Sequence, residues 1–187
     1  VEAGKLGEKD IYAEIGEIMT DHPVVLAVDD NPESLARLVD LLTRAGYQVR
    51  AKESGELALA ALAAAAADPP DLILLDVRMR GLSGLEVCQR LKQREATRSV
   101  PIILVSAFAE VEERAKGLEL GAADYLTKPF RAAELLSRVR THLDLRRVQL
   151  SHERQAAELQ KTNGQLQAEI GERQRAEAAL RQSLELA

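Results

Sequence analysis

Apolar residues along this chain gather into short unbroken runs, separated by stretches in which they recur at helical spacing. Val24-Val25-Leu26-Ala27-Val28, Leu72-Ile73-Leu74-Leu75 and Ile102-Ile103-Leu104-Val105 show no alternation. Such runs predict strands buried on both faces. Tyr47-Gln48-Val49-Arg50 alternates, as a half-exposed strand should, and Asp124-Tyr125-Leu126 is a brief fifth strand. Between the strands, Leu35, Leu38, Val39, Leu41 and Leu42 mark one helix. Asn31 serves as its N-cap, Pro32 as its first residue and Gly46 as its stop. Ser54 caps an Ala/Leu-rich helix that Asp68-Pro69-Pro70 is expected to end. Ser83-Gly84-Leu85-Glu86 reads as a capping box opening a helix to about Arg94. Glu110 to Leu120 reads as a helix closing at Gly121, and a last helix begins near Arg131.

Strands alternating with helices imply a parallel sheet with right-handed crossovers. Five such units in roughly 120 residues predict an α/β, flavodoxin-like doubly wound domain, strand order 2-1-3-4-5. Three segments are expected: a leader over 1–21, the globular domain over 22–145 and a helical extension over 146–187. The leader carries Ile11, Ile15 and Ile18 at amphipathic spacing, and His22-Pro23 ends any helix there.

Composition narrows the function classes. Aromatics are 3% of 187 residues, so Leu, Val, Ile and Ala must build the core. The net charge is −5, and from Arg131 onward ten basic and eight acidic residues leave +2. The globular part is therefore acidic, which argues against direct nucleic-acid binding. A single cysteine, Cys88, excludes an internal disulfide framework and a Cys-rich zinc site. The longest apolar run, Leu57 to Ala67, is too short to span a membrane, and no signal peptide is visible. A cytoplasmic setting is expected.

In a doubly wound sheet every parallel strand ends on the edge where ligands bind. Asp29-Asp30 follow the first strand, Asp76 the third, Ser106 the fourth and Lys128-Pro129 the fifth. Three carboxylates repel unless a cation joins them, and Mg²⁺ prefers a few carboxylates plus waters and phosphate oxygens. Lys128 supplies a point charge for a phosphoryl oxygen and Ser106 a hydrogen bond. An ionised aspartate beside a metal can attack phosphorus without a general base.

Over about Pro23 to Leu145 the chain resembles a receiver domain of two-component response regulators. The stretches that carry the likeness are VLAVDDNPE, DLILLDVRMRGLSGLEVC, PIILVSA and GAADYLTKPF. The resemblance implies Asp76 as phosphoacceptor, with Asp30 binding Mg²⁺ directly, Asp29 partly through water, and the Arg78 backbone carbonyl completing the protein ligands. It implies that Ser106 and Lys128 hold phosphoryl oxygens, that Tyr125 is the switch aromatic which turns toward the core on phosphorylation, and that the Lys128-Pro129 bond is cis. The partner implied is a cognate histidine kinase or phosphotransfer protein. Arg78 and Arg80 depart from the family's usual Asn or Met and Pro, which bears on the shape of that loop and on phosphoryl lifetime.

Each residue alone has a plainer role: acids before a helix, a loop acid, a structural serine, a surface lysine, a core tyrosine. Five of them at ordered strand ends favour the phosphoryl site. A flavodoxin-type phosphate loop is excluded by Asp29-Asp30-Asn31-Pro32-Glu33, and a haloacid-dehalogenase pattern by the missing second acid in Asp76-Val77-Arg78. Ser151-His152-Glu153-Arg154 only faintly resembles a kinase histidine motif.

From Arg131 to Ala187 there is no proline. Leu145, His152, Leu159, Leu166, Arg173 and Leu180 share one heptad position, and Ala156, Asn163, Ile170, Glu177 and Leu184 the other. This pattern predicts a parallel homodimeric coiled coil, with Asn163 setting the register. It resembles linkers leading to sensor-kinase, sensory or cyclase modules, so the output is expected outside this chain. The alternative is the regulatory fragment of a hybrid histidine kinase or a nucleotide cyclase.

Overall fold

The structure, a computed structural model, describes residues 22–65, 68–107 and 111–185, with side chains to residue 174. The expected leader lies outside the described residues. Five strands alternate with helices: β1 Val24–Val28, α1 Pro32–Arg44, β2 Gln48–Lys52, α2 Gly55–Ala64, β3 Leu72–Asp76, α3 Gly84–Gln93, β4 Ile102–Ser106, α4 Val111–Glu119, β5 Asp124–Thr127 and α5 Ala132–Glu185. The strands form one parallel sheet in the order β2-β1-β3-β4-β5. This is the flavodoxin-like order that the sequence pattern predicts.

The unbroken apolar runs are explained by the two faces they fill. Within β3, Leu72 and Leu74 join Leu38, Leu42, Leu135 and Val139 under α1 and α5. Ile73 and Leu75 join Leu59, Leu62, Val87 and Leu91 under α2 and α3 on the opposite face. Successive side chains point to opposite faces, so a strand covered twice has no polar positions to spare. β2 is one of the two edge strands and stays partly exposed.

Local chemistry sets the helix ends. The Asn31 side chain accepts from Ser34 N, the Ser54 side chain from Leu57 N, and Ser83 with Glu86 completes a capping box. α2 stops at Ala64, four residues before Asp68, because beyond Leu62 its alanines bury no side chain in the core. α5 continues well past the sheet-packed residue Leu143. Compact packing divides the chain between Asp144 and Leu145. In the second unit Leu145, Leu159, Leu166 and Ile170 are exposed.

Candidate functional site

The hydrogen-bond ladder runs past the strand ends and carries the polar residues with it. Asp29 N donates to Lys52 O at 3.2 Å, Val77 N to Val105 O at 2.8 Å and Lys128 N to Ser106 O at 2.7 Å. Asp29, Asp76, Ser106 and Lys128 are thereby fixed along one edge by the sheet itself. A carboxylate oxygen from each of Asp29, Asp30 and Asp76 lies within 4.8 Å of the others.

Asp29 and Asp76 are only 1% and 7% exposed. Lys128 Nζ lies between them, 2.8 Å from Asp29 Oδ2 and 2.5 Å from Asp76 Oδ1. Asp29 also accepts from Asn31 N at 2.9 Å and Ser34 Oγ at 2.5 Å. Asp76 Oδ2 accepts from Arg78 N at 2.9 Å. Burial raises the Asp76 pKa, and its bond and attraction to Lys128 offset only part of that. Burial alone would lower Lys128, but its bonds to Asp29 and Asp76 outweigh it and hold the ammonium charged. Asp30 is more exposed. The Arg80 backbone N–H donates to its Oδ2 at 3.0 Å and Arg80 Nε at 3.1 Å, which lowers the Asp30 pKa.

The all-oxygen set fits a hard divalent cation, and three carboxylates against one ammonium leave negative charge for it to neutralise. Arg80 does not fill that role, since its side chain is 88% exposed and reaches only Asp30.

The loop after β3 folds tightly over this edge. Gly84 N donates to Val77 O at 2.9 Å, and a Cβ at Gly84 would strike the carbonyl oxygen of Asp76. Gly81, at φ +78°, makes the turn, and Glu56 Oε1 accepts from Leu82 N at 2.9 Å. The Lys128-Pro129 bond is cis. The Tyr125 ring is buried in the core under α2 and α3.

Glu113 was not visible as a site residue in the sequence. Its Oε2 accepts from Ser106 Oγ and from the Tyr125 hydroxyl, each at 3.1 Å. Its Oε1 stands 3.7 Å from Arg78 Nε. Glu113 is one of three acids in this stretch, with Glu110 and Glu112, and nothing in the sequence pattern sets it apart from them. The available signal was Gly117, one turn on, which shares its face and lets α4 approach Leu104.

The profile of the response regulator receiver domain matches residues 25–140 of this chain. The response regulator PleD of Caulobacter vibrioides is 43% identical over 117 residues, 63% of this chain and 25% of PleD. The DNA-binding dual master transcriptional regulator RpaA of Synechocystis is 38% identical over 122 residues, 65% of this chain and 49% of RpaA. The crystallised chemotaxis protein CheY4 of Vibrio cholerae is similar at a TM-score of 0.61 and 28% identity, covering 65% of this chain and 98% of that one. The match thus spans half or less of the two curated relatives.

Proposed function

The chain belongs to the response regulator receiver family, and from that premise we propose that Asp76 accepts a phosphoryl group from the phosphohistidine of a histidine kinase or phosphotransfer protein. The observation that carries this is the gathering of Asp29, Asp30 and Asp76 within 4.8 Å, with Lys128 bonded to Asp76. A carboxylate oxygen of Asp76 forms the new O–P bond as the P–N bond breaks, and the departing imidazole nitrogen keeps the electron pair. Lys128 and Ser106 donate to the phosphoryl oxygens. Asp29, Asp30, Asp76 and the Arg78 carbonyl are the residues that would hold Mg²⁺, which supplies positive charge for the carboxylates and the phosphoryl oxygens. A groove lined by Asn31, Arg37, Leu38, Leu41 and Phe130 opens beside Lys128, where a donor protein can approach.

Acetyl phosphate with Mg²⁺ should add one phosphoryl mass, and neither Asp76→Asn nor chelated protein should gain it. An acid-stable, base-labile phosphoryl group on Asp76→Asn in similar yield would sink the assignment.

We propose further that α5 pairs in parallel with a second copy of the chain. Leu145, Leu159, Leu166 and Ile170 recur at heptad spacing and are exposed, with Asn163 among them. Of the other seam positions, His152, Ala156 and Arg173 are exposed, and Glu177, Leu180 and Leu184 lie outside the described side chains. Sedimentation should show a dimer at micromolar concentration. Labels at Gln167, with Cys88 replaced, should lie close together; a monomer, or distant labels, would refute parallel pairing.

Phosphorylation would then act as a cytoplasmic switch on an output outside these 187 residues, consistent with the greater length of the relatives. On this view the chain is a regulator rather than an enzyme. The continuous α5 equally suits a regulatory segment of a hybrid histidine kinase or nucleotide cyclase. Among the described residues no helix is long and apolar enough to cross a membrane.

A further inference from the structure

Glu113 belongs to none of the roles above, yet three groups of the switch converge on it. Ser106 Oγ and the Tyr125 hydroxyl both donate to its Oε2 at 3.1 Å, and the Arg78 guanidinium faces its Oε1. Its side chain is 16% exposed, far less than the 51% of Arg78, so this carboxylate is drawn inward. The position is built into the fold. A Cβ at Gly117 would meet Leu104 Cδ1 at 2.5 Å, so glycine lets α4 lie against β4 without displacing the end of that side chain. Glu113, four residues earlier, then meets Ser106 at the end of β4 and the hydroxyl of Tyr125 from β5.

We infer that Glu113 is a positioning residue that competes with the phosphoryl group on Asp76 for the Ser106 proton and for the Arg78 cation. This rests on the phosphoacceptor reading and extends it to a residue that is not itself among the metal ligands but faces the side chain of one of them, Arg78. A serine hydroxyl has one proton, and while it is donated to Glu113 it cannot be donated to a phosphoryl oxygen. Hydrogen bonds to an ionised acceptor are about twice as strong as neutral ones, so losing this bond offsets part of what the bond to a phosphoryl oxygen gains. Glu113 also draws the Arg78 side chain toward α4, and its own negative charge opposes the phosphoryl dianion. All three effects act in one direction: Glu113 weakens retention of a phosphoryl group. Tyr125 is tied to the same oxygen, so a change at Ser106 is felt directly at the buried ring.

The test is the affinity for beryllofluoride, a phosphoryl mimic, measured by calorimetry at saturating Mg²⁺. Glu113→Ala should bind it about tenfold more tightly than the parent. Glu113→Gln keeps an acceptor for both hydroxyls but loses the charge, so about threefold is expected. A purely structural Glu113 would lower the melting temperature without tightening binding. Glu113→Gln preserves volume, so it reports even where Glu113→Ala is too unstable to titrate. Affinity equal to or weaker than the parent's in a folded Glu113 variant overturns the inference. Asp76→Asn, run alongside, separates the two readings: if it binds beryllofluoride as well as the parent, the phosphoacceptor assignment has failed, whatever the Glu113 variants do.

Discussion

Replacing Lys128 by Met tests the electrostatics of the site. The thioether chain keeps most of the stem's bulk and removes the ammonium that contacts Asp29 at 2.8 Å and Asp76 at 2.5 Å. Two carboxylates, 1% and 7% exposed, then face each other without that cation. Breaking a buried ion pair from one side costs about 3–5 kcal/mol. An upper limit comes from protonating one aspartate instead: about three pH units from an ordinary carboxylate to pH 7, at 1.36 kcal/mol each, or about 4 kcal/mol. We expect a loss of about 3 kcal/mol at pH 7 without divalent ions. In a domain of this size that is about 10 °C in melting temperature.

The loss must depend on pH with a definite sign. Burial already raises Asp76, and removing Lys128 raises it further. A carboxyl whose folded pKa lies above its unfolded one favours the fold at low pH, and that contribution vanishes as pH rises through the folded value. The deficit should therefore be small near pH 4 and grow toward pH 7. Lys128, raised from its ordinary value, loses its stabilising effect only above about pH 10.5, outside this window. Mg²⁺ should restore much of the loss by binding the folded state alone. Asp76→Asn removes one of the two carboxylates, so Lys128→Met should cost much less in that background. Urea titrations of parent, both single variants and the double variant, at pH 5 and pH 7, provide the measurement. A loss under about 1 kcal/mol, equal losses at both pH values, or strict additivity with Asp76→Asn would refute the reasoning.

Gly84→Ala would drive a Cβ against the backbone of Asp76 and to 2.8 Å from Val77 Cα, so a loss of about 3 kcal/mol is expected in urea titration. Ser83→Ala removes one half of the capping box on α3 and should cost about 1 kcal/mol by the same assay. Burial would raise Asp124, but bonds from Arg138, Tyr125 N and His142 outweigh it and hold its pKa below the usual carboxylate range. The stability this gives is present above the unfolded pKa and is lost as pH falls through the folded one. Asp124→Asn should thus be about 1–2 kcal/mol less stable at neutral pH, the gap closing below about pH 4 in thermal melts.

The sheet was legible because its three inner strands had to be apolar on both faces, and their short Val/Ile/Leu runs differ from the longer alanine-rich run of α2. Asp29, Asp76, Ser106 and Lys128 were legible as a group because parallel topology brings strand ends together whatever their separation in the sequence. Residues placed by helix geometry were harder to see. Glu113 reaches Ser106 and Tyr125 because α4 packs closely at Gly117, a tertiary fact that one more acid in an acidic segment does not announce. Arg78 could be numbered against the acceptor, but its direction depends on Glu113. The end of α2 was misplaced because the prolines after Asp68 are a local signal, whereas the helix stops where its buried side chains run out.

The bond between Lys128 and Asp29 spans 99 residues, and that between Lys128 and Asp76 spans 52. The acids are carried by β1 and β3, while the counter-charge follows β5, the last strand of the sheet in chain order among the described residues. Once β1 and β3 pair, the carboxylates face one another without that ammonium until β5 docks beside β4. Docking of β5 relieves that repulsion, so electrostatics favours the final step of a topology whose non-local pairings make it slow to fold. The same step brings in the lysine that completes the site. A chain that lacks β5 lacks that lysine as well.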